Sequence, residues 1–116
     1  MIIPRLKALG SPDLEEPDLP DDPSDCEILI ELSVGPDDET GGAEIFSFTV
    51  VTPTALAREQ LPRWGRGKLI VSHFDWAAVR HAAERLLAHA GGESWRDVAT
   101  SLSREFAWEF EDYSAG

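Results

Sequence analysis

Cys26 to Val34 alternates with a period of two: Cys26, Ile28, Ile30, Leu32 and Val34 share one side, Glu27, Glu31 and Ser33 the other, and Leu29 is the exception. That pattern predicts a half-buried strand, because successive side chains of a strand point to opposite faces. Glu44 to Thr52 repeats it, with Phe46, Phe48 and Val50 on one face and Ser47 and Thr49 on the other. The dense turn cluster Gly35-Pro-Asp-Asp-Glu-Thr-Gly-Gly42 lies between them, so the two runs should form a hairpin with a long acidic tip. Ile2 to Leu9 reads as an earlier strand, with Ile2, Leu6 and Ala8 on one face and Arg5 and Lys7 on the other. Pro4 predicts that this strand lies at an edge, since proline cannot donate to a ladder. Lys68 to Phe74, K-L-I-V-S-H-F, reads as a further strand.

The period then changes. Thr52-Pro53 opens a short helix, the Thr oxygen capping free amides and Pro filling the first helical position; it should end near Leu61-Pro62. Asp75 caps the longest helix, which runs to about Ala90 before Gly91-Gly92 stops it. Trp76, Val79, Ala82, Ala83, Leu86 and Leu87 recur along it at helical spacing, with Arg80, Glu84 and Arg85 facing away. Ser94 with Asp97 resembles a capping box and opens a last helix with an inner stripe of Trp95, Val98, Leu102 and Phe106. Beyond it, Phe106, Trp108 and Phe110 alternate with Ala107, Glu109 and Glu111, so the chain should become extended. Strands first and helices last predict an α+β domain spanning residues 1–116: an antiparallel sheet of about four strands with two helices packed on one face.

Gly10 to Asp25 fits neither period. It holds four prolines and seven acids, and reads as an exposed, mobile loop of unusual length. Charge makes it more than a connector: from Ala8 to Ala57 there are thirteen Asp and Glu residues and no Lys or Arg. The formal net charge is −12. Summed charge of this kind steers association, so nucleic acid and anionic membranes are poor partners for this half of the molecule and a cationic protein surface is a good one. Solubility alone is the plainer explanation of such a run. At 116 residues and 42% apolar side chains, the chain has the composition of one folded domain rather than a disordered acidic tail. It has no secretory apolar region and no stretch long enough to cross a bilayer, which predicts a cytoplasmic protein.

Catalytic or metal chemistry finds little support. Cys26 is the single cysteine and opens an apolar alternation, where a buried structural thiol is expected. His81 and His89 lie two turns apart on one helix, about 12 Å by rise, too far to share one ion, and His73 would have to reach one of them together with a carboxylate; surface histidines are the simpler reading. Glu109, Glu111 and Asp112 have no Lys or His close in sequence to complete a mechanism, and no serine sits in a nucleophile elbow. No cofactor is expected. Arg58, Arg63, Arg66 and Lys68 form a small basic patch beside Trp64, which either binds an anion or, as the simpler reading, balances the acidic hairpin. Trp64, between glycines and arginines, is either an exposed aromatic anchor of the kind found at interface hot spots or a core residue.

The closing W-E-F-E-D-Y, Trp108 to Tyr113, resembles the end of the immunity protein 8 family, whose members stand beside polymorphic toxins in bacterial competition systems. Other pieces follow the family order: Ser11-Pro-Asp13, the acidic proline-rich loop, Val34-Gly-Pro36, Phe48-Thr-Val-Val-Thr-Pro53, Gly67-Lys-Leu-Ile-Val71, F-D-W entering a helix, and G-E-S-W-R-D-V before the last helix. The resemblance implies a small intracellular protein that binds a cognate toxin domain and blocks it, without catalysis or cofactor. An acidic immunity protein suits a basic toxin, with Asp13, Glu15, Glu16, Asp18, Asp21, Asp22, Asp37, Asp38, Glu39, Trp64, Glu109, Glu111 and Asp112 as candidate partner-binding residues. The alternatives are a secretion chaperone or adaptor for a basic effector, and an acidic nucleic-acid mimic.

Overall fold

The computed structural model describes residues 1–36, 42–58, 62 and 64–108. The central strand of its sheet is β3 (Glu44–Val51), flanked by β2 (Glu27–Pro36), which pairs with it antiparallel from Glu27↔Val51 to Val34↔Glu44. Phe46, Phe48 and Val50 on β3 and Ile30, Leu32 and Val34 on β2 are buried on the same face, as their alternation requires. β1 (Pro4–Gly10) pairs antiparallel with β2 and is an edge strand, with Pro4 at its first position.

The expected faces of β1 need correcting beyond Leu6. The register shifts between Leu6 and Ala8, from Leu6↔Val34 to Ala8↔Ser33, so Lys7 is an extra residue. An inserted residue reverses the alternation that follows it. Leu9 therefore packs against the core beside Leu6, and Ala8 is exposed.

The other edge of β3 is shared by two short strands. β4 (Lys68–Ile70) runs parallel to it opposite Thr49 to Val51, and β5 (Ala107–Trp108) runs antiparallel opposite Phe46 and Ser47. The sheet is thus mixed and mostly antiparallel, and the extended segment expected after Phe106 joins it as β5. β4 is also shorter than the apolar run from Lys68 to Phe74. After the Val71 amide bonds to Val51 the chain leaves the sheet, and Phe74 enters the core edge-on to Trp76.

Between β3 and β4 lies α1 (Pro53–Ala57), capped by Thr52. Thr52 is fully buried, and its hydroxyl accepts from the Cys26 and Ala55 amides and donates to the Cys26 carbonyl. α2 (Trp76–Ala88) starts at Asp75, whose carboxylate accepts from the Ala77 amide; α3 (Trp95–Leu102) starts at Ser94, whose hydroxyl accepts from the Asp97 amide. Both helices bury their apolar stripes in one cluster with the inner sheet face: Trp76, Val79, Ala83 and Leu87 from α2, and Val98, Ala99 and Leu102 from α3. Phe106 follows α3 into the same core, stacked on Phe48. The outcome is the expected α+β arrangement, two helices on one face of a sheet, which leaves the opposite face without a helix layer of its own.

Candidate protein-binding surface

The segment from Ser11 to Asp25 leaves β1 and returns to β2, and its prolines and acids give it neither helical nor strand structure. Several bonds tie it down. The Trp76 indole NH, at the start of α2, donates to the Asp18 carbonyl at 2.7 Å, and the Phe74 amide donates to the Pro23 carbonyl at 2.8 Å. Arg80 forms an ion pair with Glu16 at 3.1 Å, and Arg58 forms one with Asp25. Both pairs are substantially solvated, so each contributes ~0–1 kcal/mol and sets position more than stability. Leu14 packs against the central core. Arg80, expected to face away, instead lies half-buried against this loop.

These ties leave most of the carboxylates unused. Asp13, Glu15, Asp18 and Asp21 are exposed, and their side chains make no hydrogen bond or ion pair among the described residues. Asp22 differs: Ser24 donates to it from both hydroxyl and amide, at 2.7 and 3.0 Å, and these bonds hold its carboxyl below the usual value. The structure thus brings Asp13, Glu15, Glu16, Asp18, Asp21 and Asp22 together on one exposed loop. Asp37, Asp38, Glu39, Glu109, Glu111 and Asp112 lie outside the described residues.

Trp64 is 94% exposed and belongs to another part of the molecule. Its loop is fixed by Arg66, which donates to the carbonyls of Ser103 and Phe106 just past α3 at 2.9 and 3.3 Å. Cationic groups bind well at a helix C-terminus, where carbonyls lack amide partners. Gly67 then turns the chain into β4 at φ +79°, a conformation that favours glycine. The basic patch is accordingly divided: Arg58 neutralises an acid of the loop, and Arg66 closes α3.

One acid absent from the expected surface stands out. Glu31 projects from the outer face of β2, exposed, opposite Gly10 of β1 and Ser47 of β3. Its side chain has no hydrogen bond or ion pair among the described residues. Glu31 borders an open depression of about 430 Å³ with Ala8, Gly10, Ser33 and Ile45. A second depression, of about 570 Å³, is lined by Asp13, Glu15 and Glu16 and shares Leu9 to Pro12 with the first. The outward position of Glu31 was legible from the β2 alternation; that the loop acids border the same surface was not.

The apolar cavity between α2 and the sheet, lined by Phe48, Leu69, Ala83 and Phe106, holds about 80 Å³, well below the ~300 Å³ of a small-molecule site. Cys26 is buried, and its thiol pKa is pushed up by burial and then by the charges of Asp22 and Asp25, the reverse of an activated nucleophile. His73, His81 and His89 are all exposed. No described helix is long and apolar enough to cross a membrane.

No curated protein and no solved structure matches the chain. The family model described as immunity protein 8 matches residues 5–113, from the first strand through the closing aromatic–acidic motif. With nearly its whole length covered, the chain belongs to the immunity protein 8 family.

Proposed function

We propose that this protein neutralises a cognate toxin domain by direct contact, and that the toxin presents a basic surface. The toxin-binding role rests on family membership over residues 5–113. The basic character of the partner is inferred from the acidic loop, where Asp13, Glu15, Asp18 and Asp21 hold unpaired charge outward at no added desolvation cost before contact. Asp37, Asp38 and Glu39, Trp64, and Glu109, Glu111 and Asp112 are further candidate contacts. The protein acts by occupancy, needs no cofactor or catalysis, and works in the cytoplasm of the cell that makes it. Its loop from Gly10 to Asp25 is the mobile element, held at Asp18 and Pro23 and moving on either side of those points until the partner orders it.

Co-expression tests this reading. Cells making the toxin domain encoded beside the gene should regain growth when the protein is present. Continued poisoning despite a stable complex would identify an adaptor rather than an inhibitor. Poisoning with no complex would reject the proposal.

A further inference from the structure

We propose that the toxin seats on the open face of the sheet, with Glu31 near the centre of the contact and the acidic loop as its rim. This placement rests on the toxin-binding reading above. Its first support is the composition of the face. An antiparallel sheet with one solvated face ordinarily carries polar side chains there. Here the cross-strand rows toward β1 run Gly10–Glu31–Ser47–Ala107 and Ala8–Ser33–Ile45, so this end of the floor is made mostly of small side chains around Glu31, while the next row, Leu29–Thr49–Lys68, borders it with bulkier groups. Small side chains let another protein approach the backbone closely, and the surface is already concave at that place.

Charge provides the second support and selects the occupant. Glu31 and the loop acids Asp13 and Glu15 border two depressions that meet at Leu9 to Pro12, so a partner lying across both encounters one continuous anionic surface. A second copy of this chain would set Glu31 against acids with −12 on each side, which opposes self-association. A cationic protein surface is the complementary occupant.

Area supplies the third. With strands ~4.8 Å apart and ~3.4 Å of rise per residue, four strand positions, the last shared by β4 and β5, offer at most about 500 Å² over the length of the eight-residue β3. A specific interface needs about 800 Å² per partner. The sheet face alone falls short, and the adjoining loop supplies the remainder. This assigns the two surfaces different parts: the face sets the fit, and the loop sets the encounter.

The test uses the full chain and the purified, inactivated toxin domain encoded beside its gene. Glu31→Lys and Ser47→Arg should each weaken binding about tenfold or more at low salt. Glu84→Lys, the same change of charge on the exposed side of α2, should alter it less than about threefold. Thermal melts check that the variants remain folded. A photo-crosslinking amino acid at Ser33 gives a readout independent of affinity and should join the two proteins. Unchanged binding by both face variants, with no crosslink at Ser33 while the wild type binds, would overturn the placement and leave the toxin-binding reading intact. A wild type that neither binds nor protects would overturn that reading and this inference together.

Discussion

Trp108→Ala should destabilise the protein by about 3 kcal/mol. Trp108 opens the family's closing motif, and it lies in β5, opposite Phe46. Truncating a fully buried Trp costs ~3–5 kcal/mol; Trp108 is half-buried, which reduces that part to about 2 kcal/mol. Its ring stacks on Phe46, with centroids 6.1 Å apart and planes at 11°, an arrangement that contributes a further ~0.5–1 kcal/mol. The indole NH donates to the Glu44 carboxylate at 2.7 Å, and that partly solvated bond adds about 0.5 kcal/mol. Since β5 meets β3 through two residue pairs, the substitution should also release the strand. At ~4 °C per kcal/mol, the midpoint of thermal unfolding should fall by about 12 °C. Urea unfolding measures the free energy directly, and Trp108→Phe, which keeps an aromatic stack and removes the NH, should lose about 1 kcal/mol. A Trp108→Ala variant within about 0.5 kcal/mol of wild type would show that the ring does not hold the sheet edge.

Thr52→Val should cost ~2–3 kcal/mol in urea, because it leaves the Cys26 amide without its partner and uncaps α1, whereas Thr52→Ser should retain most of that stability. Cys26, with its raised pKa, should stay inert to thiol reagents at pH 8 and react at the rate of unfolding; rapid native-state labelling would contradict its burial. The lowered pKa of Asp22 stabilises the fold above the unfolded value near ~3.9 and loses that effect as pH falls through the folded value. Ser24→Ala should therefore be less stable than wild type at about pH 6, by a margin that shrinks as the pH is lowered below about 4, as measured by urea unfolding. Loop amides around Asp13 and Asp21 should exchange quickly in the free protein and slow on toxin binding, and Trp76→Phe should speed exchange near Asp18; strong protection throughout the free loop would refute its mobility.

What sequence alone revealed depended on whether one strand or several decided the outcome. The faces of β2 and β3 were legible because each strand carries its own alternation from Cys26 to Val34 and from Phe46 to Val50. Pro4 likewise marked the edge. The caps at Thr52, Asp75 and Ser94 were local too, since a side-chain oxygen and a nearby amide settle each one. The shift at Lys7 was hidden because K-A-L fits either face, and pairing with Ser33 and Leu32 decides between them. The direction of β4 was also hidden, because it depends on the path taken from α1 to Gly67. The same limit applied to the surface. The loop acids announced themselves by number, but Glu31 acquired meaning only when β1 and β3 placed Gly10 and Ser47 beside it and the helices covered the other face.

The central claim, a basic toxin captured by an acidic surface, is tested most directly by the salt dependence of association. Stopped-flow mixing of the protein with the toxin domain, followed by tryptophan fluorescence, measures the rate constant from about 20 mM to about 500 mM salt, over which the screening length falls from roughly 20 Å to roughly 4 Å. If unpaired carboxylates steer the encounter, the rate constant should drop at least about tenfold across that range while dissociation changes little. A rate constant that stays flat across the range would contradict the account.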